Sequence, residues 1–403
     1  MSLDFSCNSS PLKGKRITLI VTGSIAAFKS CELVGLLRGK GATVEVVLTK
    51  AAETFITPLT LETLSGNPVH TESASHGLSH IRLSQSCDLI LVAPASANTI
   101  AKAAYGIADN LASEILLART VPVAFAPAMN TAMWENPATV RNVTLLKGDG
   151  AHFIGPASGA LACGKTGAGR MTEPKEILEA TEAILSQKNL LKKKVLVTAG
   201  PTFEAIDPVR GLTNHSSGKQ GYAVAKAAFE AGADVTLVSG PTALDSPYGV
   251  RLLRVNSARE MADAVRDNLA GVDAFISVAA VADWRPAKES AQKIKKTQSP
   301  SPTLELEANP DILRTVATSE NRPRCVVGFA AETQDEIRFA KEKLQAKGLD
   351  LIVANNATDT FGKDTNTATF ITTKSVDSIT KSDKITLARA LIERISRILE
   401  NSL

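Results

Sequence analysis

Asn130 stands in Pro127-Ala128-Met129-Asn130-Thr131-Ala132-Met133-Trp134, an amide between two methionines and close to one of the chain's two tryptophans. The stretch directly follows the apolar run Val121–Ala126. A strand ending in such a loop offers one neutral polar hook inside a soft apolar wall. That suits a ligand with a carboxylate or amide at one end and a flat or greasy body. The same residues would also serve as a Met/Trp core patch. Two further loops carry hydroxyls at helix starts. Gly23-Ser24-Ile25-Ala26-Ala27 and Pro94-Ala95-Ser96-Ala97-Asn98-Thr99 each present backbone N–H groups and side-chain oxygens, the parts that cradle a phosphate. No GxGxxG follows the first strand, so an ordinary dinucleotide site is not expected. Together the two loops could hold the phosphate and ring edge of a mononucleotide.

Gly159–Thr166 matches GxxxxGK(S/T) letter for letter. A phosphate loop must open a helix, and Gly167-Ala168-Gly169-Arg170 is a poor helix start, so the match is rejected. The segment reads instead as a glycine-rich flap carrying Cys163, a candidate for proton transfer. His76 and His80 are spaced four apart but have no obvious third ligand; His80 alone reads as an acid/base or a surface histidine. In the second half, Asp207-Pro208-Val209-Arg210 precedes Asn214-His215-Ser216-Ser217-Gly218-Lys219, an anion-binding set at the start of a helix. Lys293-Ile294-Lys295-Lys296 lies in the polar stretch Lys288–Thr303, where a lysine on a mobile loop could close over a triphosphate or simply be solvated.

These residues need elements to position them, and the chain supplies the same opening twice. Arg16–Thr22, a glycine loop, a helical pattern to Leu37 and the strand Thr43–Leu48 form the first. Lys194–Thr198, Ala199-Gly200-Pro201-Thr202, a helix from Lys219 to Glu230 and the strand Asp234–Val238 form the second. Each is the start of a doubly wound, mostly parallel α/β sheet. Further buried strands are expected at Leu89–Val92, Val121–Phe125, Ala274–Val278, Val326–Phe329 and Leu351–Val353, and an amphipathic helix at Glu176–Leu185. Two domains follow, 1–190 and 191–403, with the boundary within Ser186–Lys194. Ligands of such sheets gather at the carboxyl ends of the strands.

Composition narrows the class. A chain of 403 residues with 44% hydrophobic and 21% charged residues is globular and exceeds one ordinary core. A net charge of +4 and 4% aromatics make no case for nucleic acid. Cys7, Cys31, Cys87, Cys163 and Cys325 are odd in number, scattered and without CxxC, as in a reducing compartment. Met1–Arg16 lacks an apolar core for a signal peptide, and no run reaches the roughly 20 apolar residues of a membrane helix. A cytoplasmic protein is expected.

Taken together the strings resemble the bifunctional phosphopantothenoylcysteine decarboxylase/phosphopantothenate–cysteine ligase family of coenzyme A biosynthesis, from about Lys15 to Leu399. PASANT, PAMNTAMW and the flap Ala162–Met171 are similar to the flavin-binding decarboxylase half. Thr198–Lys219, Ala279–Asp283, Lys293–Lys296 and Gly328–Thr333 are similar to the ligase half. The resemblance implies that Gly23, Ser24, Ser96 and Thr99 line a flavin mononucleotide (FMN) site and that His80 is an active-site histidine. It also implies that Asn130 holds the substrate carboxylate and Cys163 donates a proton. For the ligase it implies that Arg210 and Asn214 handle phosphopantothenate and its acyl-cytidylate. Asp283, Lys293, Pro310, Asp311, Ile312, Leu313, Phe329, Lys343 and Lys347 would bind cytidine triphosphate (CTP), with Lys293 taking a direct part in forming the acyl-cytidylate. Mg2+ is expected on the phosphates, its protein ligands unassigned. The family picture also implies a homo-oligomer, with trimers of decarboxylase domains and dimers of ligase domains joined into a dodecamer. Two departures stand out: Lys165 where the family often has Asp beside the flap thiol, and Trp284 where a smaller aromatic is common.

The chemistry explains the residue types. Decarboxylation beside an acyl-cysteine needs an electron sink, which a flavin creates by taking hydride from the carbon bearing sulfur. A neutral amide at the carboxylate avoids over-stabilising the charge that must be lost. A ligase must turn a carboxylate into an electrophile, and lysines with Mg2+ suit the charge that builds on the phosphates. The alternative is a flavin-dependent decarboxylase or oxidoreductase with an inactive second domain.

Overall fold

The computed structural model describes residues 10–72, 77–160, 164, 166–295, 303–332, 335–356 and 364–401. Its contacts divide the chain into two compact units that part between Leu185 and Ser186. His76, Cys163, Lys165, Lys296 and Thr333 lie outside the described residues.

The first unit is built on strands β1 (Arg16–Val21), β2 (Thr43–Leu48), β3 (Leu89–Ala95), β4 (Val123–Pro127) and β5 (His152–Phe153). They form one sheet in the order β2-β1-β3-β4-β5, parallel throughout. Both faces are covered, as continuous apolar strands require. Ile20, Ile90, Val92, Val123 and Phe125 enter one core with Ile100, Ile115 and Val143 from three helices. Leu19, Val21, Leu89 and Leu91 alternate to the opposite face and are equally buried. Several expected strand ends moved by one to three residues. β3 runs on to Ala95, and β4 starts at Val123 instead of Val121, because Pro122 has no N–H to give a ladder and contributes only its carbonyl, to Ile90 N. A hairpin of β6 (Ala157–Ala160) and β7 (Thr166–Arg170) follows, then the helix Pro174–Leu185.

In the second unit, β8 (Lys194–Ala199), β11 (Asp234–Ser239), β12 (Arg251–Arg254), β13 (Ala274–Ser277), β16 (Cys325–Glu332), β17 (Leu351–Asn356), β18 (Thr365–Ile371) and β19 (Val376–Asp383) make the main sheet. Its order is β12-β11-β8-β13-β16-β17-β18-β19, with only the last two strands antiparallel to their neighbours. Two small ribbons are added, β9 (Phe203–Ala205) with β10 (Gly211–Thr213), and β14 (Trp284–Pro286) with β15 (Leu306–Ala308). Alternation again fills two cores. Val195, Val197 and Ile276 face the helices Lys219–Glu230 and Lys384–Asn401, whereas Leu196, Phe275 and Val326 face the opposite side with Met261 and Leu344. Each such side chain contributes about 1.5–3 kcal/mol by leaving water. The short segment after Leu185 belongs to this unit: Leu190 is buried in its core and Leu190 N bonds Ala231 O.

The first strand of each unit has parallel neighbours on both sides, β2 and β3 around β1, β11 and β13 around β8. The chain winds outward in opposite directions from that strand, which leaves a crevice at its carboxyl end.

Candidate functional site

Each unit has a site at that crevice. In the first, loops after β1, β3 and β4 and the base of the β6–β7 hairpin enclose a cavity of about 480 Å³. Its lining includes Gly23, Ser24, Lys29, Ser96, Asn130 and Arg170, with Phe28, Met129, Met133 and Met171 as apolar wall. No carboxylate lines it among the described residues.

The hydroxyl loops are organised by helix capping. Ser24 Oγ accepts from Ala26 N at the start of a short 3-10 turn, and Ser96 Oγ accepts from Thr99 N at the head of the helix Ala97–Tyr105. Such a cap is worth about 1 kcal/mol. Thr99 does not line the cavity. It is buried, its hydroxyl lies 3.1 Å from that of Ser96, and so it supports the serine that does. Thr22 ties the two loops together: its hydroxyl donates to Pro94 O at 2.7 Å and accepts from Ser96 N at 2.9 Å. Thr22 carried no sequence signal beyond being the last polar residue before Gly23.

Asn130 caps the four-residue helix Thr131–Trp134 through a 2.7 Å bond from Ala132 N to Oδ1, and it lines the cavity as expected. Gly169 holds the hairpin against this loop. Its carbonyl accepts from Met129 N, its φ is +132°, and a Cβ there would lie 2.4 Å from Met129 O. The two ends of the phosphate-loop look-alike lie in paired strands, and its rejection stands: Thr166 opens a strand, not a helix.

Two cations were missed by the sequence reading. Lys29 and Arg170 line the cavity and converge on Glu173 at 2.9 and 2.5 Å. The bond from Lys29 holds the Glu173 carboxyl below its ordinary range despite partial burial. Spacing could not reveal them, since they lie far apart in sequence. His80 is not on the lining; its Nδ1 lies 3.8 Å from Glu114 Oε2 on the helix Leu111–Ala118. Burial pushes the thiols of Cys31, Cys87 and Cys325 up, which keeps them protonated.

In the second unit the loops after β8 and β13 are zipped together. Ala280 N donates to Gly200 O, Thr202 N donates to Ala280 O, and Asn214 Nδ2 reaches Ala280 O at 2.8 Å. Beside them a cleft of about 130 Å³ opens at the head of the helix Lys219–Glu230. Gly221 brings that helix onto the sheet, for a Cβ there would sit 2.4 Å from Ala199 Cβ. Ser216, Ser217, Lys219, Phe329 and Lys384 line the cleft. Lys384 was not foreseen. Burial first, and then the neighbouring Lys219 charge, push its ammonium pKa down, opposed by Asp364.

Apart from Phe329, none of the expected ligase residues lines this cleft; they make contacts of their own. Asn309 N donates to Asp283 O, and Asn309 Nδ2 to Ala282 O, which fixes the residues just before Pro310 beside Asp283. Asp311 caps the helix Ile312–Ala317 and pairs with Lys347 at 2.7 Å. Partial burial raises the Asp311 carboxyl, but the bonds from Lys347 and Arg314 N and the charges of Lys347 and Lys343 outweigh it, so it sits below the ordinary range. Ile312 and Leu313 are buried and anchor this helix; they are not placed at the surface of a site. Lys343 Nζ donates to Phe329 O at 2.8 Å. Arg210 chelates the buried Asp207 and donates to Ile294 O, next to the exposed Lys293. Among the described residues no three His, Cys, Asp or Glu side chains gather as a metal site, and no helix is long and apolar enough to cross a membrane.

Comparison with known proteins matches this division. The flavoprotein family model covers residues 6–186, and that of the DNA/pantothenate metabolism flavoprotein C-terminal domain covers residues 190–399. Over 397 residues the chain is 45% identical to the coenzyme A biosynthesis bifunctional protein CoaBC of Vibrio vulnificus (strain CMCP6), spanning 96% of this chain and 99% of that one. The protein of the same name from Escherichia coli (strain K12) is 46% identical over 365 residues, 88% of this chain and 90% of its own. A crystal structure of a CoaBC C-terminal domain is 39% identical with a TM-score of 0.47, covering 53% of this chain and 100% of that one.

Proposed function

The chain belongs to the CoaBC family of coenzyme A biosynthesis bifunctional proteins, and from that premise we propose how its residues divide the work. It is a phosphopantothenoylcysteine decarboxylase and a phosphopantothenate–cysteine ligase. Residues 1–190 carry the first activity and 191–403 the second.

The observation that carries the decarboxylase assignment is the position of Asn130. It lines a cavity whose other polar groups are the Gly23–Ser24 turn, Ser96, Lys29 and Arg170. The residues fit FMN: hydroxyls and N–H groups at two helix starts and two cations for its phosphate, methionine and aliphatic walls for its rings. Bound FMN supplies temporary removal of a hydride. The chain's own residues do the rest. The Asn130 amide orients the carboxylate that leaves as CO2, by neutral hydrogen bonds that do not hold its charge too firmly. Cys163 donates a proton to the resulting carbon, and the β6–β7 hairpin held by Gly169 keeps water out. Thr99 supports the site through Ser96, and His80 acts from the edge with Glu114.

In the ligase, Asn214 and Arg210 take phosphopantothenate at the β8–β13 crevice. Lys293 stabilises the α-phosphate as the substrate carboxylate attacks CTP, forming the acyl-cytidylate and releasing pyrophosphate. Cysteine's amine then displaces cytidine monophosphate. Asp283, Pro310, Asp311, Phe329, Lys343 and Lys347 form the nucleotide-binding segments, with Ile312 and Leu313 anchoring the helix behind them, and Mg2+ is carried mainly by the phosphates. The exposed apolar residues Phe28, Leu59, Leu78 and Tyr105 support a homo-oligomer, which we assign as decarboxylase trimers and ligase dimers in a dodecamer, in the cytoplasm.

The test is incubation of the purified chain with phosphopantothenate, cysteine, Mg2+ and CTP, with products followed by mass spectrometry. Phosphopantetheine plus cytidine monophosphate is expected. Accumulating phosphopantothenoylcysteine would place the fault in the decarboxylase unit. Absence of cytidine monophosphate would overturn the ligase assignment.

A further inference from the structure

We propose that Asp207 is the positioning residue for Lys293, acting as a buried clamp on the backbone of the next residue, Ile294. The inference rests on the ligase reading above, in which Lys293 acts on the phosphates. Asp207 sits in the turn between β9 and β10, and its side chain is 0% exposed. A carboxylate so buried costs stability unless every lone pair is used. Here the partners are all local except one. Oδ1 accepts from Val209 N and Arg210 N, both at 2.9 Å. Oδ2 accepts from Arg210 Nε at 3.0 Å, from Arg210 Nη2, and from Ile294 N at 3.1 Å.

The single distant partner is the informative one. Ile294 is held at both of its backbone groups, its N–H by Asp207 and its carbonyl by Arg210 Nη2 at 2.8 Å. Ser290 N donates to Ile206 O at 3.0 Å, so the strap is fastened at a second point upstream. Of the exposed residues between these fastenings, Ala291, Gln292 and Lys293, the lysine is the cation. Lysine has four rotatable carbons, so its ammonium can be placed only as well as its backbone is. A turn that does nothing else would be adequately closed by Val209 N and Arg210 N. The Ile294 bond and the guanidinium bridge instead serve the other segment. Arg210 has one edge on the clamp, which makes it a strap as well as a substrate ligand.

The test uses the full chain and two variants. Asp207→Asn removes the charge and offers an NH2 where Ile294 N and Arg210 both need an acceptor. Ile294→Pro leaves the carboxylate and the turn intact and deletes the N–H it holds, while also fixing φ at 294 and restricting the Lys293 backbone. Three readings are taken on each: initial trypsin cleavage after Lys293 located by mass spectrometry, pyrophosphate release at varied CTP, and decarboxylation of phosphopantothenoylcysteine. Cleavage after Lys293 is monitored in Asp207→Asn only, since proline at 294 blocks trypsin there; in Ile294→Pro cleavage after Lys295 replaces it. Both variants should cleave faster by about tenfold and lose kcat for pyrophosphate release by about 10²-fold, the usual result of misplacing a catalytic group by about 1 Å. KM for CTP should shift far less than kcat, and decarboxylation should be unchanged.

Wild-type cleavage and kcat in both variants would overturn the clamp. So would a loss that falls on KM alone, which would place Asp207 in substrate binding through Arg210. If Asp207→Asn fails to fold, shown by trypsin cleavage throughout residues 191–403, Ile294→Pro decides alone. Full pyrophosphate release by Lys293→Gln would instead sink the role of Lys293, while faster cleavage in the two variants would still establish the clamp.

Discussion

Lys347 Nζ lies 2.7 Å from Asp311 Oδ2, and Asp311 in turn caps the helix Ile312–Ala317. One ion pair therefore ties a residue of the helix Glu336–Lys347 to the segment that Asn309 holds beside Asp283.

Removing that carboxylate should loosen the cap. Asp311→Ala is expected to lower the local stability of residues 312–317 by about 1 kcal/mol near neutral pH, read by hydrogen-exchange mass spectrometry. The folded Asp311 carboxyl is depressed, so its contribution is present above the unfolded pKa and is lost as pH falls through the lower folded value. The gap between variant and wild type should therefore narrow below about pH 4. An unchanged gap at acid pH would show that the cap works without its charge.

Gly169→Ala should push the hairpin off the Asn130 loop. Its φ of +132° disfavours any side chain, and the added Cβ meets a backbone oxygen that cannot rotate aside. Strain of about 1–3 kcal/mol is expected. CO2 release should fall by at least tenfold, while pyrophosphate release by the ligase stays at the wild-type rate. Normal CO2 release would mean the hairpin need not be held there.

Cys163→Ser should stall the decarboxylase after CO2 has left, because the hydroxyl is a far weaker acid than the thiol. CO2 would appear without matching phosphopantetheine, and the ligase would be spared. Stoichiometric phosphopantetheine would remove Cys163 from the proton step.

Lys293→Gln should abolish acyl-cytidylate formation with the flavin still bound and the decarboxylase active. Radiolabelled CTP reports the first and visible absorbance the second. Pyrophosphate release at the normal rate would refute the assignment.

Asp207 and Ile294 mark the limit of reading a chain in one dimension. The two doubly wound sheets were legible because buried parallel strands leave long β-branched runs, and because Gly-rich turns punctuate them at β1 and β8. Asn130, Ser24 and Ser96 were legible because loops after strands must face the crevice, and each side chain caps the helix just beyond it. Motif spacing alone therefore determined the fold class, the two-part organisation and the residues on the loops. Tertiary structure decided what lies opposite them. Lys29 meets Arg170 at Glu173, Thr22 reaches Ser96, Lys384 comes from the last helix to the head of another, and Asp207 holds Ile294. Sheet order and helix packing bring these partners together, and hydrogen bonds of about 3 Å between residues far apart in the chain leave no periodic trace in it. His80 and Thr99 teach the same point from the other side. Their types suit a site, but whether a side chain lines the cavity, supports a neighbour or faces Glu114 depends on where its helix docks.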